Sequence, residues 1–112
     1  MKLPRLSNMR FALRGLVVAW AHEVNVVWEV LFGCFFVASA WLRGAEKSEV
    51  GIVFLFCCAV LAAELTNSAI ERVCNIVQPE RDERIRDIKD IASGTVLFLS
   101  AASLAAWLMI ML

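Results

Sequence analysis

Net charge is the first thing this 112-residue chain lacks, since eleven Lys and Arg cancel eleven Asp and Glu. No global basic field is present to attract nucleic acid, so nucleic acid is not an expected partner. Charged residues are sparse at 20%, against 61% hydrophobic and a mean hydropathy of +0.72. So apolar a chain collapses, which excludes disorder. There is no linker, low-complexity stretch or internal repeat. Cys34, Cys57, Cys58 and Cys74 show no C-x-x-C spacing and lie in or beside apolar stretches, so they read as small hydrophobes. His22 has no second His to share a metal with and reads as an interfacial side chain. Residues 1–20 carry Lys2, Arg5, Arg10 and Arg14 spread through them, without the compact apolar core of a cleavable signal peptide.

What the chain has instead is long apolar runs. Residues 24–42 are interrupted only by Asn25, Glu29 and Ser39; residues 50–63 are wholly apolar; residues 91–112 hold nothing more polar than Ser or Thr. About 20 helical residues cross a hydrocarbon core. The runs are too continuous for alternating barrel strands. The expected fold is therefore all-α, an integral membrane protein forming one domain over residues 1–112. Its membrane helices are expected at about 24–42, 50–77 and 91–112. Met9, Leu13, Leu16, Val17 and Trp20 recur at helical spacing while Arg10 and Arg14 share another face. Residues 1–21 thus read as an amphipathic interfacial helix. Pro79 ends the second span, and the mixed charges of residues 81–89 read as a solvated loop.

Lys and Arg number four before the first span, two in the first loop (Arg43, Lys47) and five around the second (Arg72, Arg81, Arg84, Arg86, Lys89). By the positive-inside rule, the N-terminus and second loop are cytoplasmic. That orientation gathers the polar residues in one leaflet: Glu23, Asn25 and Glu29; then Glu64, Asn67, Ser68 and Glu71; then Lys89, Asp90 and Ser93. Ionisable groups in a span are costly and mark functional sites. Glu64 and Glu71, seven apart, differ by about 20° in azimuth and roughly 10 Å along a helix axis, with Asn67 and Ser68 between them. Such a row can hold a divalent cation at one end and take a proton at the other, and hard cations such as Mg²⁺ favour carboxylate and phosphate oxygens. Lys89 supplies a cation for phosphate. Three helices shelter little, so sites between helices of an oligomer are expected.

Two segments then carry a family resemblance. Glu64-Leu65-Thr66-Asn67-Ser68-Ala69-Ile70-Glu71-Arg72-Val73 is similar to E-x-x-N-[ST]-A-I-E-x-x-V-D, and Lys89-Asp90-Ile91-Ala92-Ser93-Gly94-Thr95-Val96-Leu97 to A-K-D-x-[AG]-[AS]-[AG]-A-V-L. Both are motifs of the small prokaryotic diacylglycerol and undecaprenol kinases. Glu23-Val24-Asn25 and the segment from Phe11 to Gly15 match more weakly. The resemblance implies a homotrimeric lipid kinase using ATP and Mg²⁺, with sites between protomers, in the bacterial inner membrane. It implies Glu64 as general base beside the lipid hydroxyl, Glu23 and Glu71 as metal ligands, and Asn67, Glu80, Lys89 and Asp90 at the nucleotide. Ser93 would line the lipid side. The chain departs from the pattern at Asn75, where the family has Asp, and at Ile88, where it has Ala. No P-loop or protein-kinase catalytic loop is present; phosphoryl transfer needs chiefly positioning and charge neutralisation.

The expected activity is phosphorylation of diacylglycerol to phosphatidic acid. Undecaprenol presents the same single hydroxyl and remains an alternative substrate. An exporter with Glu29 as its membrane carboxylate, and an inactive relative owing to Asn75, are the other readings.

Overall fold

A computed structural model of the protein describes residues 6–112. Among them the elements are all helical: α1 (Leu6–His22), α2 (Val24–Leu42), α3 (Lys47–Val77) and α4 (Glu83–Met111). The last three are long and apolar enough to cross a membrane. The all-α class and the three spans are as the hydropathy pattern predicts. The N-terminal helix begins at Leu6, and Lys2 and Arg5 lie outside the described residues.

Glu23 is the one residue between α1 and α2, with an extended backbone (φ −113°, ψ 99°). Its N–H still donates to Ala19 O at 2.8 Å, and its carbonyl accepts from Val26 N at 3.1 Å. The chain therefore changes direction with little loss of backbone hydrogen bonding. Between α2 and α3, Gly44 N–H donates to Trp41 O and Ala45 N–H to Ala40 O, the two bonds of a Schellman turn. Gly44 takes φ +89°, a left-handed conformation open to glycine without strain. Glu46 and Glu49 then cap α3 reciprocally, each side chain accepting from the other's backbone N–H.

α3 has 31 residues, about 46 Å at 1.5 Å each, against a hydrocarbon core of about 30 Å. Its polar end therefore reaches beyond the hydrocarbon. Gln78, the residue before Pro79, is extended (φ −148°, ψ 91°) and ends the helix. α4 starts earlier than its apolar run. The loop expected over residues 81–89, and the helix start expected at 91, give way to a helix from Glu83. The physical reason is the cap: Asp82 accepts from Arg84 N–H at 2.8 Å and from the Arg84 guanidinium at 2.9 and 3.2 Å. Arg86 and Asp90 add an i,i+4 contact at 3.9 Å. A helix rooted outside the hydrocarbon needs no apolar periodicity.

α3 is the centre of the bundle. α2 and α4 both pack along it and touch each other lightly, while α1 leans on α2. A Cβ on Gly33 would meet Cys57 Cβ at 3.4 Å, which marks the close approach of α2 to α3. Towards the other end of the bundle, Trp107 Nε1–H donates to Ser39 Oγ at 2.9 Å, and Trp107 packs on Phe36 with centroids 5.0 Å apart. Large side chains such as Trp28, Phe35, Leu97, Phe98 and Met109 remain more than half exposed. Lipid tails solvate such faces without cost, whereas water would not.

Gly44→Ala is expected to cost about 1 kcal/mol, because a Cβ opposes the left-handed conformation; thermal unfolding in detergent reads the loss. The bonds from Arg84 hold the Asp82 carboxyl down at about 2 from its ordinary 3.8. A depressed folded-state value means that this stabilisation is complete above the ordinary value and lost as pH falls from about 4 towards 2. The stability difference between the wild type and Asp82→Ala is therefore expected to shrink over that window, as measured by unfolding at pH 6 and pH 2.

Candidate active site

The site is organised by the inward face of α3. Glu64, Asn67 and Ser68 are buried and Glu71 is half-buried, in the row that the 3.6-residue spacing predicts. Only 5% of Glu64 is exposed. Glu23, at the α1–α2 break, lines a cavity with Ser68 and Arg72 of α3. Glu29, one turn beyond Asn25 on α2, lines a neighbouring cavity with Cys57 and Leu61 of α3. Acidic groups from α2 and from the α1–α2 break thus both face α3.

Asn67 carries the one unsatisfied atom among buried side chains of the described residues: its Oδ1 accepts no hydrogen bond. Orphaned buried acceptors are rare and costly. Asn67 lines a cavity of about 360 Å³ between α3 and α4, with Thr66, Ala92 and Thr95.

Two cross-helix polar contacts frame the row. Arg72 on α3 donates from Nε and Nη2 to Glu23 Oε1 at 3.2 and 3.1 Å. Lys89 on α4 donates from Nζ to Asn75 Oδ1 on α3 at 2.7 Å. Lys89 is therefore held against the first motif, at the position where the family pattern has Asp. The other expected residues stand apart from the buried row: Glu80 is exposed in the α3–α4 connection, Ser93 is exposed on α4, and exposed Asp90 faces Arg86 on its own helix. The ion pair of Arg72 with Glu23 has no local sequence signal. It links residues 49 apart, and no periodicity announces such a contact.

The donor types along the row, carboxylate and amide oxygens, are those a hard cation takes. Glu23 and Glu71 offer two carboxylates, and Asn67 offers a buried amide oxygen without a donor. Among the described residues no group of three or more His, Cys, Asp or Glu is placed to hold a metal alone. Phosphate oxygens and water would complete the shell, which is the usual habit of Mg²⁺.

A family model described as prokaryotic diacylglycerol kinase matches residues 10–111. The chain belongs to the prokaryotic diacylglycerol kinase family. It is similar to a diacylglycerol kinase of Haemophilus influenzae, 29% identical over 91 residues that make up 81% of this chain and 77% of that protein. A diacylglycerol kinase of Pseudomonas aeruginosa is 27% identical over 111 residues, 98% of this chain and 90% of the relative. One from Synechocystis sp. is 29% identical over 99 residues, and this chain spans 57% of its length. The protein is thus a lipid kinase of the diacylglycerol kinase type, with ATP as co-substrate, and a multi-pass membrane protein. The exporter reading finds no support in these relationships.

If Glu23, Glu71 and Lys89 share a site, they open to one side of the membrane. Single cysteines at these positions (E23C, E71C, K89C), in a chain whose four native cysteines are replaced, are expected to take a membrane-impermeant maleimide from the same face of sealed vesicles. Labelling from opposite faces would dissolve the site.

Proposed function

We propose that the protein phosphorylates the hydroxyl of diacylglycerol, using ATP and Mg²⁺ and giving phosphatidic acid. The reaction takes place at the cytoplasmic face of the bacterial inner membrane, with the N-terminus on that side. The observation that carries this reading is the burial of Glu64 in the polar row of α3, one turn from an amide oxygen with no hydrogen-bond partner.

In this mechanism Glu64 is the general base. As the lipid oxygen attacks the terminal phosphorus of ATP, the new O–P bond forms and the bridging P–O bond to ADP breaks. The hydroxyl proton passes to the Glu64 carboxylate. Glu23 and Glu71 would hold the metal, with Asn67 in support. A metal there would supply charge neutralisation for the polyphosphate. Lys89 meets the phosphates as a point charge. Asn75 accepts one of its N–H bonds without cancelling its charge, so the missing family Asp does not leave the ammonium unplaced. Asp90 and Glu80 contact the nucleotide, and Ser93 lines the lipid side. The protein works as a homotrimer with sites between protomers, and the apolar faces left exposed on the single chain agree with such an assembly.

The test is phosphate transfer from labelled ATP by purified protein in lipid, with diacylglycerol and undecaprenol side by side. Diacylglycerol is expected to be the better acceptor, and Glu64→Gln to slow turnover by at least about 100-fold. Preference for undecaprenol would move the substrate assignment. Nucleotide binding without transfer to either lipid would make the chain an inactive relative, and full activity of Glu64→Gln would remove the base.

A further inference from the structure

Arg72 follows Glu71 on α3, and its guanidinium reaches across to the α1–α2 break. Paired with a carboxylate, arginine commonly binds both oxygens by two parallel bonds. Here both bonds, from Nε and Nη2, converge on one atom, Glu23 Oε1. Oε2 of Glu23 takes part in neither. A guanidinium has five N–H donors, so three remain uncommitted by this pair. The Arg72 side chain is 51% exposed and that of Glu23 25% exposed. With Ser68 and Gly15 the pair lines a cavity of about 290 Å³ between α1 and α3. Among the described residues the ion pair thus leaves one carboxylate oxygen and one guanidinium edge without other partners, side by side, the first suited to a cation and the second to an anion.

We infer that Arg72 is a polyphosphate contact of the nucleotide site, held in position by Glu23. The inference rests on the reading of Glu23 as a metal-holding residue and adds a cation that neither motif supplies. A guanidinium fork matches phosphate oxygens in a way an ammonium does not. Its charge also has opposite consequences for two ligands. A divalent cation arriving alone meets a positive neighbour and is opposed. A nucleotide brings phosphates that the same group attracts.

The experiment uses full-length protein in lipid nanodiscs and reads binding without turnover. Mn²⁺ alone is followed by electron paramagnetic resonance, and a non-hydrolysable ATP analogue with Mg²⁺ by calorimetry. Arg72→Gln is expected to bind Mn²⁺ about fivefold more tightly and the analogue about tenfold more weakly. Arg72→Lys keeps the charge and loses the fork, so it is expected to leave Mn²⁺ binding unchanged while weakening the analogue a few-fold. If Arg72→Gln weakens both ligands, the residue only holds Glu23, and the inference is overturned. Unchanged binding of the analogue overturns it as well. A wild type that binds neither probe overturns the kinase mechanism and this inference together, whereas a wild type that binds both confines any failure to Arg72.

Discussion

The structure depends on keeping the polar row of α3 out of lipid. A carboxylate or ammonium at mid-span costs roughly 2.5–3.5 kcal/mol on insertion scales, and α3 alone carries Glu64, Asn67, Ser68 and Glu71 in sequence. It is also the helix with a neighbour along each flank, α2 on one side and α4 on the other. Burial of Val53, Val60 and Cys74 on the same helix continues the row above and below the polar residues. The remaining faces are given over to Trp, Phe, Leu and Met, which lipid accommodates. Gly33 serves this arrangement by letting α2 close onto Cys57.

Burial concentrates the electrostatics. Two cations beside the polar row are each tied to a definite acceptor, Arg72 to Glu23 and Lys89 to Asn75. The two ties differ in kind. Arg72 faces a full negative charge, so the pair is neutral. Lys89 faces an amide, so its net charge survives the contact. A short charge-assisted bond of 2.7 Å to Asn75 fixes where that charge sits, and an Asp at the same position would fix it equally while cancelling it. The departure from the family pattern therefore changes the local potential more than the local geometry.

Much of this was legible in the residues. Apolar run length gives the three spans, and the 3.6-residue repeat puts Glu64, Asn67, Ser68 and Glu71 on one face because those two signals are local. Two motifs, Glu64 to Val73 and Lys89 to Leu97, carry the family. The start of α4 was not legible, because a helix outside hydrocarbon is set by its cap, Asp82 with Arg84, and not by hydropathy. Nor were the partners of Arg72 and Lys89, since contacts between helices depend on packing angles that no spacing encodes. The same limit applies to the hydrogen bond from Trp107 to Ser39, which exists only once α2 and α4 are set against each other.

The turn at Gly44 gives the molecule a pronounced sidedness. Only residues 43–46 separate α2 from α3, and most of their backbone N–H groups, with the Glu46 side chain, are spent on closing one helix and opening the next. The carboxylates, the buried amide and the paired cations of the candidate site stand towards the opposite end, so the two ends of the α2–α3 hairpin differ sharply in chemistry.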